Sequence, residues 1–221
     1  MAIAHRGDES VQQRLWSVLE PLGSNQAFRR HSSIYTPGQP AQTLYLLQAG
    51  QVSLQMLSSE GRVLTVKVVE PGQIFGHSAL DGGEGYDTYA VALQPVRVVA
   101  VPRAAVLQAL YSQPDLGAAL VELVGQYRLT VGRRLDEVAF KSVPARLASV
   151  LLEMSEDQTA GPKPQQRVPR RTHQQLAEMI NAYRETVTKV INQFRDARLL
   201  DVDRSGITLL NPSRLRELAQ N

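Results

Sequence analysis

The segment Thr172–Phe194 constrains the fold of this chain more than any other stretch, because its pattern predicts two short helices joined by a tight turn. In the second helix four apolar residues fall at positions i, i+3, i+4 and i+7, a spacing that places them on one face. These residues are Val187, Val190, Ile191 and Phe194. We therefore expect this face to be buried and the opposite face to be exposed.

The start of this helical pair and its turn carry recognisable signals. Thr172 and Gln175 stand three apart just before an apolar run, which is the capping-box signature of a helix start. Ala177 supplies a small side chain where two helices must cross closely. Asn181 stands at the turn, where a left-handed backbone is usually required. Tyr183 is a weaker element, because the residue before a helix is more often Ser, Thr, Asp or Asn.

The face opposite the apolar stripe carries Arg184, Glu185, Thr188 and Lys189. Arginine and lysine can donate hydrogen bonds to O6 and N7 of guanine, and a glutamate can accept one from N4 of cytosine. The pattern therefore predicts a helix that reads base edges in DNA. Thr172 and His173, at the start of the first helix, complete the predicted DNA-binding residues.

The distribution of charge agrees with a C-terminal module that binds a polyanion. The 221-residue chain carries a formal net charge of +3. Residues 1–141 contain 12 Lys and Arg against 12 Asp and Glu, whereas residues 142–221 contain 12 against 9. The whole positive excess therefore lies in the last third of the chain, which also contains the predicted helical pair.

Composition and motifs exclude several other classes of protein. The chain has no cysteine, which excludes disulfides, thiolate zinc sites and cysteine-held iron–sulfur clusters. No apolar run approaches the roughly 20 residues of a membrane-spanning helix. Residues 1–10 are too polar for a signal peptide, so we expect a cytoplasmic protein that does not engage a membrane. The sequence contains no phosphate-binding glycine loop, no His-Glu-x-x-His and no Gly-x-Ser-x-Gly, so we predict that it is not an enzyme.

The chain from about Ser33 to Val101 shows short apolar alternations separated by turn signals, which is typical of a small antiparallel barrel or roll. A short helix around Val11–Leu22 is expected before it, and the run Tyr89–Val101 is expected to close it. The turn signals are Pro37-Gly38, Ala49-Gly50, Glu60-Gly61, Pro71-Gly72 and the cluster Gly82, Gly83 and Gly85.

A long helix is predicted from roughly Pro114 to Lys141, because apolar residues recur there at three- and four-residue steps. These residues are Leu116, Leu120, Leu123 or Val124, Tyr127, Val131, Leu135 and Val138. We expect them to pack on the roll, on a second copy of the helix, or on both, and we favour a homodimer. Pro144 interrupts the pattern, so Ser142–Pro144 is predicted to be a hinge.

Beyond this hinge the pattern predicts a compact α+β module. A helix at Ala145–Met154 precedes a loop with a short strand near Arg167, and the helical pair follows. A hairpin at Leu200–Leu210 and a helical turn at Pro212–Ala219 then complete the chain. The fold class is α+β, and three parts are predicted: an N-terminal antiparallel β-roll at 1–113, a dimerisation helix at 114–141 and a winged helix-turn-helix at 142–221.

The segment Tyr183–Ile191 resembles the recognition helix of the cyclic AMP receptor protein/FNR family of bacterial regulators. The resemblance covers nearly the whole chain, including Ala139-Phe140 before the hinge. It implies a homodimeric regulator of transcription that binds a palindromic operator, contacts RNA polymerase and activates more often than it represses. In the family the matching residues read a core that contains G·C pairs. The resemblance thus implies that Arg184 and Lys189 contact guanine and that Glu185 contacts cytosine.

The same resemblance implies an effector pocket in a cyclic-nucleotide-binding-like roll. Family members that bind cyclic AMP hold its phosphate with a segment that starts at a glycine and is followed, some ten residues later, by an arginine and a small hydroxyl residue. Gly76 and Thr88 match, but His77 replaces the glutamate that would bind the ribose, and Asp87 replaces the arginine. A carboxylate repels a phosphate, because both groups are negatively charged, whereas an arginine would bind it. The implied pocket residues are Gly76, His77, Ser78, Asp87, Thr88 and Val131, of which Val131 stands with Gly132 where the family would contact adenine.

Several hypotheses stay open at this stage. The departures in the pocket favour a regulator whose DNA-binding form needs no effector, with another small ligand as the next hypothesis. Cyclic AMP remains possible if Arg97 or backbone amides hold its phosphate. A cupin-like metal sensor, a haem protein with His77 as ligand and a module that signals to protein alone are the rivals. Metal sites need several converging ligands, and the other histidines lie in separate segments, so no metal site is predicted.

Overall fold

The computed structural model describes residues 13–59, 61–80, 82, 85–156 and 166–220. The backbone divides into two compact units, Met1–Met56 with Val66–Val131 and Leu57–Thr65 with Gly132–Asn221. The division therefore falls inside the predicted long helix, and the domain boundaries given above stay predictions. The predicted helix start at Val11, the predicted turn at Gly83 and most of the loop before Arg167 lie outside the described residues.

In the described N-terminal part, the strands form two antiparallel four-stranded sheets. The strands are β1 (Ser24–Phe28), β2 (Ser33–Tyr35), β3 (Thr43–Ala49), β4 (Val52–Leu57), β5 (Val63–Val69), β6 (Ile74–Phe75), β7 (Tyr89–Ala92) and β8 (Val96–Pro102). One sheet has the order β1-β8-β3-β6 and the other has the order β2-β7-β4-β5. The predicted roll is confirmed. Strand β1 was missed because its sequence lacks apolar alternation, and it forms by pairing with β8.

Strands β3 and β8 separate two apolar cores, because successive side chains of a strand point to opposite faces of the sheet. Tyr45 and Leu47 face the core between the two sheets. Leu44 and Leu46 face a second core, which also contains Leu15 and Leu116. A strand that is buried on both faces shows nearly continuous apolar sequence, as β8 does between Val96 and Val101.

The helices of this part begin with α1, which is helical at residues 13–19 and continues into a 3-10 turn at Glu20–Leu22. Helix α2 spans Arg103–Ser112 and was not predicted, because its buried residues, Val106 and Ala109, are too few to give a clear stripe. Helix α3 spans Asp115–Phe140, in agreement with the predicted long helix.

The apolar residues of α3 occupy two faces rather than the single predicted stripe. Leu116, Leu120 and Leu123 are buried in the second core, whereas Val121 and Leu135 are 74% and 67% exposed. Steps of three and four residues bring side chains onto one face of a helix, so the exposed residues form a second stripe. This stripe, here called the α3 seam, consists of the exposed apolar residues Val121, Val124 and Leu135, the exposed Arg128 and the half-buried Val131 and Val138.

The C-terminal unit combines helices with a small sheet. Its elements are α4 (Val143–Glu156), β9 (Arg167–Pro169), α5 (His173–Ile180), α6 (Arg184–Asp196), β10 (Leu200–Val202), β11 (Gly206–Leu209) and α7 (Pro212–Leu218). The antiparallel sheet has the order β10-β11-β9. The predicted hairpin and terminal helix are therefore present. Pro144 lies in the first turn of α4, where proline is tolerated because its missing N–H would have no helical partner.

A single apolar cluster holds these C-terminal elements together. Leu147 and Leu151 of α4, Leu176 of α5 and Val187 of α6 are fully buried in it. Complete burial of a large aliphatic side chain contributes about 1.5–3 kcal/mol relative to exposure. The packing therefore fixes which side of each helix faces outward. In the described part of the chain, no helix is long and apolar enough to cross a membrane.

The predicted capping box of α5 is present. The Thr172 hydroxyl oxygen accepts a hydrogen bond from the Gln175 backbone N–H at 3.1 Å, and the Gln175 side-chain oxygen accepts one from the Thr172 N–H at 2.9 Å. Because the first N–H groups of a helix have no partner within it, these two bonds stabilise the start of α5.

We predict that Thr172→Ala lowers the free energy of unfolding of this unit by about 1 kcal/mol, the usual loss on removing an N-cap hydroxyl. Hydrogen exchange of the slowest amides in α6 measures this change. Thr172→Ser is the matched control, because it keeps the oxygen that accepts from Gln175 and should retain wild-type protection. Equal protection in all three proteins would contradict the stabilising role of the cap.

Candidate nucleic-acid interface and effector cavity

Helices α5 and α6 form the predicted pair, and Asn181 makes the turn between them in the left-handed conformation with φ of 51°. The apolar stripe of α6 is buried, as predicted, from Val187 to Phe194. Arg184, Glu185 and Lys189 are exposed on the other side of the helix. Tyr183 precedes α6 without a capping side-chain bond. The first two turns of α6 therefore present two cations and one carboxylate to solvent.

Thr188 and His173 contact each other across the two helices. The Thr188 hydroxyl donates to the Arg184 carbonyl oxygen at 3.0 Å, and the same oxygen lies 2.8 Å from Nδ1 of His173. Because the hydroxyl hydrogen is already used, Nδ1–H of His173 is the donor to Thr188. Both residues were predicted to bind DNA, and that role stays a prediction. In this structure their polar atoms connect α5 to α6.

The turn between β10 and β11 is organised by Asp203. One carboxylate oxygen accepts hydrogen bonds from the backbone N–H groups of Ser205 at 2.7 Å and Gly206 at 2.9 Å. Arg167 of β9 donates to both carboxylate oxygens, at 2.8 and 2.7 Å. The Ser205 hydroxyl also donates to the first oxygen, and this bond, followed by those from the backbone N–H groups and from Arg167, lowers the pKa of Asp203 to about 2. The predicted wing is therefore a turn closed by a carboxylate that stays ionised at neutral pH.

Two exposed arginines extend the cationic surface beyond the predicted residues. Arg204 stands at the tip of the wing, and Arg170 precedes α5. The Arg170 guanidinium donates to the Arg204 carbonyl oxygen at 3.4 Å. Guanidinium groups in such positions suit phosphate oxygens, which fix the register of a protein on DNA. The basic doublet Arg170-Arg171 before Thr172 was the sequence signal that could have indicated this rim.

The N-terminal unit contains a cavity of about 510 Å³. The predicted pocket residues Gly76, His77, Ser78, Asp87 and Thr88 all line it. The sixth predicted residue, Val131, does not, because the helix contributes residues between Gly117 and Tyr127 instead. Much of the remaining wall is aliphatic, and it consists of Leu54, Leu80, Leu110, Leu120, Val121 and Val124.

Gly76 shapes the polar end of this cavity. It adopts the left-handed conformation with φ of 83° and starts a 3-10 turn at His77–Ala79. A Cβ at this position would lie 3.1 Å from the Thr43 carbonyl oxygen and 3.2 Å from the Tyr45 ring. Glycine is therefore favoured both by the backbone conformation and by the close neighbours. The turn places His77 and Ser78 along the cavity wall.

His77 is held inside this wall as a neutral ring. It stacks on Tyr127 of α3 with ring centroids 5.0 Å apart, and its Nε2 atom is enclosed without a hydrogen-bond partner among the described residues. Burial, and after it the positive charge of Lys67, lowers the pKa of His77 to about 4. At neutral pH the imidazole therefore adds no positive charge to the cavity.

Asp87 is the formally charged side chain among the described lining residues. Its Oδ1 atom accepts hydrogen bonds from the hydroxyls of Ser78 at 3.1 Å and Thr88 at 3.3 Å. A cyclic nucleotide carries a phosphate, which needs a cation at this end of the cavity. Arg97, considered above as a substitute, is exposed on β8 and is not part of the lining. The described residues therefore do not fit a cyclic nucleotide phosphate.

A metal centre was one of the rival hypotheses for the roll. Within the described residues, no group of three or more His, Asp or Glu side chains is arranged to hold a metal ion.

Comparison with known families identifies both parts of the chain. The family model of the Crp-like helix-turn-helix domain matches residues 145–218, and that of the cyclic nucleotide-binding domain matches residues 25–113. These two matches cover the unit with the winged helical pair and the roll with its cavity.

Individual relatives agree with the family models over almost the full chain. The transcriptional regulator SdrP of Thermus thermophilus is 32% identical over 88% of this chain and 94% of its own length. The global nitrogen regulator of a Synechocystis strain is 29% identical over 95% of this chain and 98% of its own length. The crystal structure of a CRP/FNR-family regulator, also from Thermus thermophilus, shares 31% identity, with a TM-score of 0.71 over 90% of this chain and 99% of that chain.

These similarities define the class of the protein: it is a DNA-binding regulator of transcription and not an enzyme. Within that class, the chain belongs to the cyclic AMP receptor protein/FNR family.

We predict that the His77 ring titrates in the folded protein with a midpoint near 4. Histidine ring NMR signals measure the midpoint, and the signal lost in His77→Gln identifies the residue. Because the unfolded chain takes up this proton near pH 6.5, the folded state should lose stability as pH falls from 6.5 toward 4. Lys67→Gln should raise the midpoint, since it removes a nearby positive charge. A midpoint near 6.5 would show that the ring is not enclosed.

Proposed function

We propose that this protein binds a palindromic DNA site as a homodimer, reads it with the first two turns of α6, and does so without cyclic AMP. The observation that carries the proposal is the exposed face of α6. Arg184 and Lys189 suit O6 and N7 of guanine, and Glu185 suits N4 of cytosine. Burial of the opposite stripe holds these three side chains outward. The cationic rim of Arg170 and Arg204, which are neighbours, would add phosphate contacts.

The α3 seam supports a homodimer. Its residues recur in alternating steps of three and four, which is the repeat by which two helices pack along each other. Leu135 and Val121 are largely exposed in the single chain, so a second copy would bury them. Symmetric dimers use the same patch on both copies. The two half-sites of a palindrome lie about 34 Å apart, one turn of DNA, so a dimer that reads both must present its two α6 helices at that spacing.

The cavity supports a DNA-binding form that does not depend on cyclic AMP. Asp87 would face the phosphate, and neither His77 nor a described lining residue supplies a compensating cation at neutral pH. The resemblance to the family further suggests activation of transcription in the cytoplasm through contact with RNA polymerase. Transcription in vitro with purified polymerase and an operator-bearing template tests that extension directly.

We predict that Arg184→Ala loses about 1–3 kcal/mol of discrimination between operator and unrelated DNA, the usual effect of removing one base-reading pair. Nonspecific binding should persist and fall steeply with added salt, because the phosphate contacts remain. Gel-shift titrations on a palindromic operator, selected from genomic fragments by footprinting, give both quantities. The titrations are run with and without cyclic AMP, which should not change the affinity.

Arg133→Ala is the matched control for this prediction. It removes the same charge from an exposed position on α3, outside the helix-turn-helix, and should leave discrimination intact. Unchanged discrimination in Arg184→Ala would reject the base-reading role. A cyclic AMP requirement in the wild-type protein would reject the effector-independent form.

We predict that Leu135→Glu converts the dimer to monomers. Burial of each leucine contributes about 1.5–3 kcal/mol, and a symmetric interface loses two of them. The dimer dissociation constant should therefore rise by at least about a hundredfold. Sedimentation velocity measures it. Leu129→Glu, an exposed leucine on another face of α3, is the control and should stay dimeric. Loss of the dimer in both variants, or in neither, would contradict an interface at the α3 seam.

A further inference from the structure

The cavity of the N-terminal unit has the size and lining of a site for a small organic molecule. Its volume of about 510 Å³ lies within the usual range of ligand sites, roughly 300–1,000 Å³. One part of the wall is aliphatic and includes Leu110 and Leu120 from α2 and α3. Apolar surface of this kind favours a ligand with a hydrophobic body. The polar groups are gathered at the other part, around Asp87.

Asp87 has an unused carboxylate oxygen at this polar end. Ser78 and Thr88 both donate to Oδ1, and Oδ2 has no hydrogen-bond partner among the described residues. The two hydroxyls therefore orient the carboxylate without neutralising it. A carboxylate in such a setting binds a hydrogen-bond donor with a positive charge more strongly than a neutral donor.

Two tyrosine rings stand near the carboxylate. Tyr35 and Tyr127 line the same cavity, and both are close enough for the negative charge of Asp87 to act on them. Burial raises the pKa of Tyr127 to about 12, and the charge of Asp87 adds to this rise. Both phenols are thus neutral at physiological pH. A neutral phenol oxygen can accept a hydrogen bond from an ammonium group.

Two basic residues near this end do not add a cation to the cavity lining. His77 stays neutral at physiological pH because of its burial. Lys67 of β5 lies near His77, where its charge acts on the ring, but it is not among the residues that line the cavity. The described lining therefore carries a net negative charge.

We propose that this cavity binds an organic cation: an ammonium group on Asp87, flanked by Tyr35 and Tyr127, with an apolar body against the aliphatic wall. The proposal rests on the proposed function in one respect, namely that cyclic AMP is not the ligand of this cavity. The proposed ligand is a cation, whereas cyclic AMP is an anion that would bind at the same place in the fold.

Isothermal titration of the full-length protein at pH 7 with three probes of similar size tests the proposal. The probes are phenylbutylamine, phenylbutanol and phenylbutyrate, which differ in the charge of one terminal group. We expect the amine to bind at least about tenfold more tightly than the alcohol, the scale of one charge-assisted hydrogen bond. The carboxylate should bind most weakly. Cyclic AMP, as a fourth probe, should not bind.

Variants test whether Asp87 causes the preference for the amine over the alcohol. Asp87→Asn should remove the advantage of the amine and leave the affinity for the alcohol unchanged. Glu122→Gln is the matched control, because it removes one negative charge from an exposed site on α3 that does not line the cavity. Circular dichroism checks that both variants fold. If Asp87→Asn does not fold, the order of the three probes on the wild-type protein still decides the question.

Several outcomes would overturn the inference. They are failure of the amine to bind up to its solubility, carboxylate binding as tight as that of the amine, and an amine preference that survives in Asp87→Asn. Gel-shift titrations on the same preparations separate this inference from the proposed function. Protein that binds the operator but not the amine disproves the cation site alone. Protein that binds the amine but not the operator disproves the DNA-binding proposal alone.

Discussion

Burial of the apolar stripe of α6 is the constraint on which the C-terminal surface depends. Successive residues of a helix are rotated by about 100°, so fixing one stripe in the core fixes the direction of every other side chain. Val187 and Ile191 are buried against α4 and α5 in one cluster. Arg184 and Lys189 therefore face outward and are exposed. The chemistry of the DNA-binding face is therefore set by hydrophobic packing on the far side of the same helix.

Local patterns were sufficient to predict the elements that depend on local physics. The capping box at Thr172, the left-handed turn at Asn181 and the buried stripe of α6 all follow from spacing within a few residues. Contacts between distant parts of the chain were not predictable in this way. Strand β1 exists because it pairs with β8, and the Arg167–Asp203 pair closes the wing across 36 positions. Neither leaves a signal in its own segment.

For helix α3 and the cavity, too, the sequence pattern predicted only part of the packing. A three- and four-residue repeat was correctly assigned to a helix, but the repeat alone does not say how many partners the helix has. The structure divides it between a buried face with Leu120 and an exposed face with Leu135. Five of the six residues that the family resemblance implied for the pocket line the cavity, since they lie in one segment and a nearby pair, and their binding role stays a prediction. The aliphatic wall from α2 and α3 was missed because these positions converge only in the folded chain.

The two candidate sites of this chain have opposite electrostatic character. The face of α6 and the wing are exposed, so their cations would act on a polyanion through many weak, salt-sensitive contacts. The described lining of the cavity carries one carboxylate, that of the exposed Asp87, among mainly aliphatic and aromatic side chains. One residue, Asp87, is therefore enough to reverse the charge of the ligand that the cavity prefers. The DNA-binding face would need several substitutions for the same reversal, because its charge is shared among at least four described side chains, Arg170, Arg184, Lys189 and Arg204. A substitution at Asp87 would therefore change the ligand preference proposed for the cavity and leave the residues proposed to bind the operator unchanged.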